Sequence, residues 1–232
     1  MMARDWAERN RVTAQSPLAD RIKALKGAKV AVVGPRAAND DLLRFMLVTY
    51  GGLSPDRDVE IVNLGASPSY PPALEAKRID AFVGASPAAE TSIVRGQGIS
   101  LANLMTGEAP ELRGQLFVAS IVRRDSIERQ REQVAAAMRA LARAQKLIGD
   151  RPDEAKRVLR ENKFDAIAPE VWDLAWQNNL PGLATSPLLD EKGYQINFAL
   201  LDKAREDKTP EIPFTRISDN SLAQEAVRAI AQ

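Results

Sequence analysis

The stretch LKGAKVAVVGPRAANDDLLRF, Leu25 to Phe45, has the pattern of a strand that leads into a helix N-terminus, an arrangement that binds small ligands in many α/β proteins. An apolar run at Lys29 to Val33 predicts a strand, Gly34-Pro35 ends it, and Asn39-Asp40 would open a helix. The partial positive charge and backbone N–H groups of a helix N-terminus favour anionic groups. Simple N-capping by Asn39-Asp40, which stabilises a helix by about 1 kcal/mol, is the alternative interpretation.

Two further loops carry hydroxyl and carboxyl groups. The segment GASPSYPP places Ser67 and Ser69 at a predicted helix start, and GASPAAE places Ser86 and Glu90 after the apolar IDAF run. Loops that leave the carboxyl edge of one parallel sheet meet at one crevice, so we expect these side chains to converge. Serines before proline-led helices are also ordinary caps. Glu90 in the crevice would repel an anion and would require a ligand with a cationic or hydroxyl-bearing part.

The elements that would position these loops alternate between strands and helices. Such alternation predicts an α/β fold with a parallel sheet and helices on both faces. Two helices are predicted near the N-terminus, at 5–11 and 16–27. Three more are predicted between the strands, at 40–50, 69–78 and 87–98. The predicted strands are residues 29–33, 58–65, 79–86 and 99–105.

After Gly114 the pattern becomes mostly helical. One more strand is predicted at 115–125, and Val134, Met138 and Leu141 begin an apolar stripe that predicts a long helix continuing to Ile148. The spacing of Trp172 and Trp176 favours packing over a stacking platform. Further helices are predicted at 152–162, 169–178, 193–206 and 222–231.

Composition excludes several function classes. Lys and Arg number 32 against 31 Asp and Glu, so no global field attracts nucleic acid. The chain has no cysteine and no histidine, which excludes thiol nucleophiles, disulfides, Ser-His triads and nearly all zinc or haem sites. No cofactor is predicted. The sequence shows neither an apolar run of about 20 residues nor the apolar core of a signal peptide.

Three segments, in this order, resemble a known family. They are ALKGAKVAVVGPRAANDDLLRFMLVTYGGLSPDRDVEIVNLG, ALEAKRIDAFVGASPAAETSIVRGQG and LFVASIVRRDSIERQREQVAAAMRALARAQ. The chain resembles the nitrate, sulfonate and taurine family of ABC-transporter substrate-binding proteins. That resemblance implies a two-lobed, periplasmic-binding-protein-like α/β fold with a parallel-rich sheet and a helical C-terminal half.

The resemblance also implies a division of the chain. Residues 1–24 would be a remnant of the first lobe, 25–106 a continuous α/β lobe, and 107–232 a mostly helical part that returns to the other lobe. In the family a β-α-β segment precedes the LKG strand, so we expect the first lobe to be incomplete. The strand at Phe117 to Val122 would then present an open edge, so we expect pairing with a partner chain or formation of a homodimer.

Site residues follow from the same resemblance. The family's ligand-binding turn, a Gly-Ser-x-Thr-like segment, corresponds to Arg36, Ala37 and Asn39. The hydroxyls are absent, but Arg36 adds a cation that can fork onto a carboxylate or sulfonate. A solvated loop arginine is the alternative. The implied function is capture of a small anionic or polar organic ligand for a membrane permease, in the periplasm, with membrane contact only through the permease.

Two other classes stay open. Pyrimidine-synthesis enzymes share this type of fold, but the version of their chemistry that uses histidine and a cysteine-rich motif is excluded here. Asp40, Asp41 and Glu90 are the available carboxylates for any other acid–base chemistry. A ligand-sensing regulatory domain is the third hypothesis, and it would need a DNA-binding partner because no basic recognition helix is evident.

Overall fold

A five-stranded mixed sheet forms the centre of the first half of the chain. The computed structural model describes residues 1–230. The strand order is β3-β2-β4-β1-β5, with β2 parallel to β3 and β4, and β1 antiparallel to β4 and β5. The strands are β1 Met2–Ala3, β2 Lys29–Val32, β3 Glu60–Asn63, β4 Ala81–Phe82 and β5 Gly98–Ile99.

Helices account for most of the remaining regular structure. A π-helical turn, Leu47–Gly51, extends the third helix of the chain. The helices are α1 Arg4–Arg9, α2 Leu18–Lys23, α3 Ala38–Met46, α4 Pro55–Asp58, α5 Tyr70–Glu75, α6 Ala88–Val94, α7 Arg124–Arg129, α8 Arg131–Asp150, α9 Pro152–Lys163, α10 Pro169–Asn179, α11 Glu191–Ala204, α12 Phe214–Ile217 and α13 Ser221–Ile230.

Strand β2 is buried on both faces. Val30 and Val32 belong to one hydrophobic cluster, which includes Leu43 of α3, whereas Ala31 belongs to a second cluster with Tyr70 and Phe82. Because successive side chains of a strand point to opposite faces, the two clusters lie on opposite sides of the sheet. The predicted α/β fold with helices on both faces is therefore confirmed.

The central position of β1 has no counterpart in the sequence prediction. Met2 lies opposite Ala81 on one side and Ile99 on the other, and the N–H of Ala3 donates to the carbonyl of Asp80 at 2.8 Å. A two-residue strand is too short to show an alternating pattern. The helix predicted after it is confirmed as α1, where the Trp6 indole N–H donates to the carbonyl of Ala24 at 2.7 Å.

Two strand predictions were wrong in whole or in part. Residues 115–123 contain no helix, strand or turn, so the strand predicted at 115–125 is absent from the described structure. The strand predicted at 99–105 is reduced to β5, which is antiparallel to its neighbour, and the chain continues into a 3₁₀ turn at Leu104–Thr106. In both cases the apolar pattern was present, but a strand also needs a neighbouring strand to satisfy its backbone groups.

The helical half agrees more closely with its sequence pattern. The predicted long helix is α8, and α9, α10 and α11 follow at the predicted places. Trp172 and Trp176 are buried with their rings 6.0 Å apart, and Phe164 stacks on Trp172 at 5.0 Å, which confirms the packing interpretation. The helix predicted at 222–231 is α13, and Ala231 lies outside the described residues.

An ion pair attaches the end of α11 to the sheet half. The guanidinium of Arg205 donates from Nε and Nη2 to the two carboxylate oxygens of Asp41, at 2.8 and 2.6 Å. Asp41 lies in the first turn of α3 and is buried. A bidentate pair of this kind fixes both the distance and the relative orientation of its two side chains.

Replacing Arg205 with alanine should therefore destabilise the protein. Asp41 would stay buried without its charged partner, and we expect the free energy of unfolding to fall by about 2–4 kcal/mol. Urea denaturation followed by circular dichroism measures this loss. The control is Arg131→Ala, which breaks a half-exposed pair with Glu225 and should cost about 1 kcal/mol or less. Equal losses in the two variants would contradict the structural role of Arg205.

Candidate functional site

Three loops meet at the carboxyl edge of the parallel strands. Strands β2, β3 and β4 run in the same direction, so the segments after them, 33–37, 64–69 and 83–87, leave the sheet on one side. The side-chain amide of Asn39 donates to the carbonyl of Val83 at 2.7 Å. The backbone N–H of Ala85 donates to the hydroxyl of Ser67 at 3.3 Å. The first turn of α3, which follows β2, and the loop after β3 thus both contact the loop after β4.

A buried carboxylate shapes the first of these loops. Arg36 has a positive φ of 61°, an uncommon conformation for a residue with a side chain. Its N–H donates to Oδ2 of Asp40 at 2.8 Å, while Oδ1 of Asp40 accepts from Nε of Arg44 at 2.9 Å. Asp40 is buried, and the removal of its carboxylate would leave the N–H of Arg36 and the Nε of Arg44 without this acceptor.

The capping interpretation of Asn39 was wrong. The N-cap position of α3 is Ala37, whose side chain cannot cap, and Asn39 is the second residue of the helix. The side chain of Asn39 accepts from the N–H of Val33 at 3.4 Å and donates to Val83, so it links the ends of β2 and β4. Asn39 therefore holds two strand ends at a fixed distance.

Arg36 presents its guanidinium at the surface of this edge. The side chain is 60% exposed and donates from Nη2 to Oδ2 of Asp207 at 2.6 Å. The hydrogen bond from Arg36 is the main cause that lowers the pKa of the Asp207 carboxyl below its usual value. Asp207 lies in the segment that follows α11. The predicted anion-binding cation thus already holds a carboxylate.

The end of α10 covers the loop after β4. The side-chain amide of Asn179 donates to the hydroxyl of Ser86 at 2.7 Å, and that of Asn178 donates to Oε1 of Glu90 at 3.1 Å. Glu90 is buried beneath this helix end, and its Oε2 has no hydrogen-bond partner within the described part of the chain. The structure therefore brings Ser86 to the edge but withdraws Glu90 from it.

Ser69 lies apart from the other predicted residues. It lines a groove of about 370 Å³ that runs beside the edge strand β3, together with Lys29, Val62, Leu64 and Arg78. Lys29 is at the amino end of β2, so the groove extends away from the carboxyl edge where Arg36 lies. Within residues 1–230, Ser69 forms no hydrogen bond with the other predicted site residues.

The residues that sequence reasoning missed come from the C-terminal half. Asn178 and Asn179 end α10, and Arg205 and Asp207 follow α11. They lie about 90 to 170 residues from their partners in the chain, as between Asn178 and Glu90 or Arg36 and Asp207. Polar residues at helix ends are common, so only the tertiary contacts distinguish these four.

The charged side chains at this edge are paired with one another, as Arg36 is with Asp207. Both carboxylates of α3 are engaged, Asp40 by Arg44 and Asp41 by Arg205, so neither is a free general acid or base. Among residues 1–230, no cluster of three or more acidic side chains is placed to hold a metal ion. In the same range, no helix combines the length and apolarity needed to cross a bilayer.

The sheet with helices on both faces places the protein in the α/β class. Residues 1–160 match the NMT1-like family, and the chain belongs to that family. This is the nitrate-, sulfonate- and taurine-type family of ABC substrate-binding proteins, so the resemblance seen in the sequence is confirmed.

A solved structure of a Bordetella bronchiseptica RB50 protein is similar in fold. Its TM-score is 0.67 at 20% sequence identity, and the match covers 90% of this chain. The chain spans 66% of the length of that protein. At this identity the similarity shows the fold alone. A comparison with curated proteins found no match.

The Arg36–Asp207 contact predicts a titration that can be measured. Arg36 stabilises the ionised carboxylate, so Asp207 should titrate below its unfolded value of about 3.9 and return toward that value in Arg36→Ala. The pair contributes stability above the unfolded pKa and loses it as the pH falls through the lower folded pKa. Carboxyl-carbon NMR measures both values.

Asp56 provides the internal control for this titration. Its pKa is lowered chiefly by a hydrogen bond from Arg44, which Arg36→Ala does not touch. The pKa of Asp56 should therefore stay the same in the variant. An unchanged pKa of Asp207 in Arg36→Ala would show that the two side chains do not pair in solution.

Proposed function

We propose that this protein is the solute-binding component of an ABC importer. It captures a small anionic organic ligand, such as a carboxylate or sulfonate, or nitrate, and delivers it to a membrane permease from the periplasm. Membership of the NMT1-like family supports the general role, since that family consists of binding proteins. The ligand class is proposed from the charge at the edge of the sheet.

The exposed guanidinium of Arg36 is the observation that carries the ligand class. Arg36 directly precedes the N-cap residue of α3, and the helix dipole favours negative charge near that end of the helix. Nη2 of Arg36 already donates to Oδ2 of the Asp207 carboxylate at 2.6 Å. A ligand carboxylate has the same two acceptor oxygens as Asp207 and a sulfonate has three, so either can replace Asp207 there.

The residues near Arg36 have different proposed roles in binding the ligand. We propose that Ala37 takes part only through its backbone, because its side chain has no polar group. Asn39 holds the ends of β2 and β4 in place, and the hydroxyls of Ser67 and Ser86 lie in the other two loops of the same edge. Each hydroxyl can donate to a second oxygen of the ligand while accepting the hydrogen bond it already has. Ser69 and Glu90 are left out of this proposal.

A thermal-shift screen tests the proposal. Nitrate, bicarbonate, taurine, small carboxylates and aromatic acids are added separately to the purified protein. At 100 times its dissociation constant, a bound anion should add about 2.7 kcal/mol of stability and raise the melting temperature. Arg36→Ala should lose this shift, whereas Arg131→Ala, which removes a half-exposed arginine in α8, should keep it. If no anion raises the melting temperature, or if Arg36→Ala responds like the wild type, the proposed site is wrong.

Replacing Asp207 with asparagine should have the opposite effect. The carboxylate of Asp207 competes with the ligand for Arg36, but an exposed ion pair in water is weak. The anion identified in the screen should therefore bind more tightly to Asp207→Asn, by a factor of about two to five. Isothermal titration calorimetry measures this change. Unchanged or weaker binding would show that Asp207 does not occupy the ligand position.

A further inference from the structure

The groove beside β3 has an apolar floor that is open to solvent. Val62 and Leu64 line it from the sheet, and Ala73 and Ile79 line it from α5 and the segment that follows. Leu64 is 36% exposed. The volume of about 370 Å³ lies within the range of about 300–1,000 Å³ that is typical of small-ligand pockets. The groove is therefore large enough for a small organic molecule.

The groove exists because α5 covers the middle of the sheet and leaves part of the edge strand uncovered. Tyr70 of α5 is buried in one hydrophobic cluster with Phe82 and Ala31 of the central strands. Strand β3 lies at the end of the strand order, and Val62 is only partly buried against this cluster. The helix residue that lines the groove is Ala73, whose methyl group is too small to fill the space above Val62.

Two cationic side chains lie at the amino end of the groove. Lys29 begins β2, and its N–H donates to Oδ2 of Asp80 at 2.9 Å. Arg78 follows α5, and its N–H donates to the carbonyl of Ala73 at 2.9 Å. The backbone of each cationic residue is thus held by a hydrogen bond, and both residues line the groove.

Only one of these two cations already has a partner. Nζ of Lys29 lies 3.2 Å from Oε1 of Glu60, the residue beside it on β3. In the part of the chain that the structure describes, the guanidinium of Arg78 forms neither an ion pair nor a hydrogen bond. A guanidinium presents a planar fork of N–H donors that fits a carboxylate. Arg78 is therefore available to an anion from outside the chain.

We propose that the groove binds an amphipathic organic acid, with its carboxylate on Arg78 and its apolar chain along Val62 and Leu64. Glu60, beside Lys29, is four residues before Leu64, so at about 3.3 Å per residue the floor is about 13 Å long. Carbon–carbon bonds are about 1.5 Å long, so a straight chain of about eight carbons fits within this length. One molecule would then pair the free cation and cover the apolar floor.

Charge distinguishes an acid from other apolar molecules of the same length. Among the described residues, the charged side chains that line the groove are Lys29 and Arg78, and no acidic side chain does so. An amine would face two cations, and an alcohol would leave the charge of Arg78 without a counter-ion. The site lies at the amino edge of the sheet, so it is separate from the one proposed at Arg36.

Isothermal titration calorimetry with octanoate tests this site. The titrations use Arg36→Ala, because that substitution removes the other anion site proposed for this chain. Octanoate should bind at least tenfold more tightly than acetate, since each methylene removed from water strengthens binding by up to about fourfold. Octylamine, which has the same chain and the opposite charge, should bind at least tenfold more weakly than octanoate.

Matched substitutions in this background assign the two parts of the site. Arg78→Gln should weaken octanoate binding at least fivefold, whereas Arg95→Gln, which alters an exposed arginine directly after α6, should leave it unchanged. Leu64→Ser should weaken it at least threefold, whereas Val94→Ser, which alters a valine that is 39% exposed, should not. All four side chains are exposed, and thermal melting verifies that each variant is folded.

Amide NMR shifts locate the bound acid. Octanoate should move the amide signals of Leu64 and Arg78 and leave those of residues 36–39 in place. No binding of octanoate to Arg36→Ala, equal affinity for octylamine, or equal effects of Arg78→Gln and Arg95→Gln would each overturn the proposal. Octanoate that binds the wild type but not Arg36→Ala would overturn the groove site and support the anion site at Arg36, so the two proposals can be told apart.

Discussion

The burial of β2 on both faces is the constraint on which the rest of the structure depends. Val30 and Val32 contribute to one hydrophobic cluster, and Ala31 contributes to the other. A strand buried in this way must pair its backbone on both edges, which it does in parallel with β3 and β4. The parallel pairing brings three strand ends to one edge, and the loops that leave it can therefore contact each other.

Two adjacent buried carboxylates then connect this edge to distant parts of the chain. Asp40 accepts from the N–H of Arg36 and from Arg44, which determines the path of the loop after β2. Asp41 accepts two hydrogen bonds from Arg205, which holds the end of α11 against α3. Both carboxylates are in the first turn of α3. The same helix turn therefore holds the loop that contains Arg36 and the C-terminal half of the chain. This arrangement also explains why Asp207 reaches Arg36.

The edge of the sheet is thus built from both halves of the sequence. Asn178 and Asn179 close over the loop after β4, and Asp207 contacts the loop after β2. A solute-binding role requires a site that can open and close around a ligand, and contacts from a separate part of the chain are suited to such a change. The Arg36–Asp207 pair is exposed and the Arg205–Asp41 pair is mostly buried, so the loss of a partner costs more at the second pair than at the first.

Local pattern was enough to predict the elements that are long or fully buried. The apolar run of β2, the stripe along α8 and the starts of α5 and α6 were correctly predicted, because each depends on residue periodicity and on nearby proline or glycine. The family membership of the chain was also evident from the order of its segments. The convergence of Arg36, Asn39, Ser67 and Ser86 at one edge followed from the parallel sheet alone.

The sequence by itself therefore determined the fold class, most of the helices and the loops that could bind a ligand, since these follow from local propensity and from the geometry of parallel strands. Only the tertiary structure decided which side chains lie open at the edge and which are covered. Glu90 is buried by α10, Arg36 is paired with Asp207, and residues 117–122 lack a neighbouring strand. Each of these outcomes depends on contacts with residues distant in the chain, or on their absence within the described structure, and no local pattern encodes such contacts.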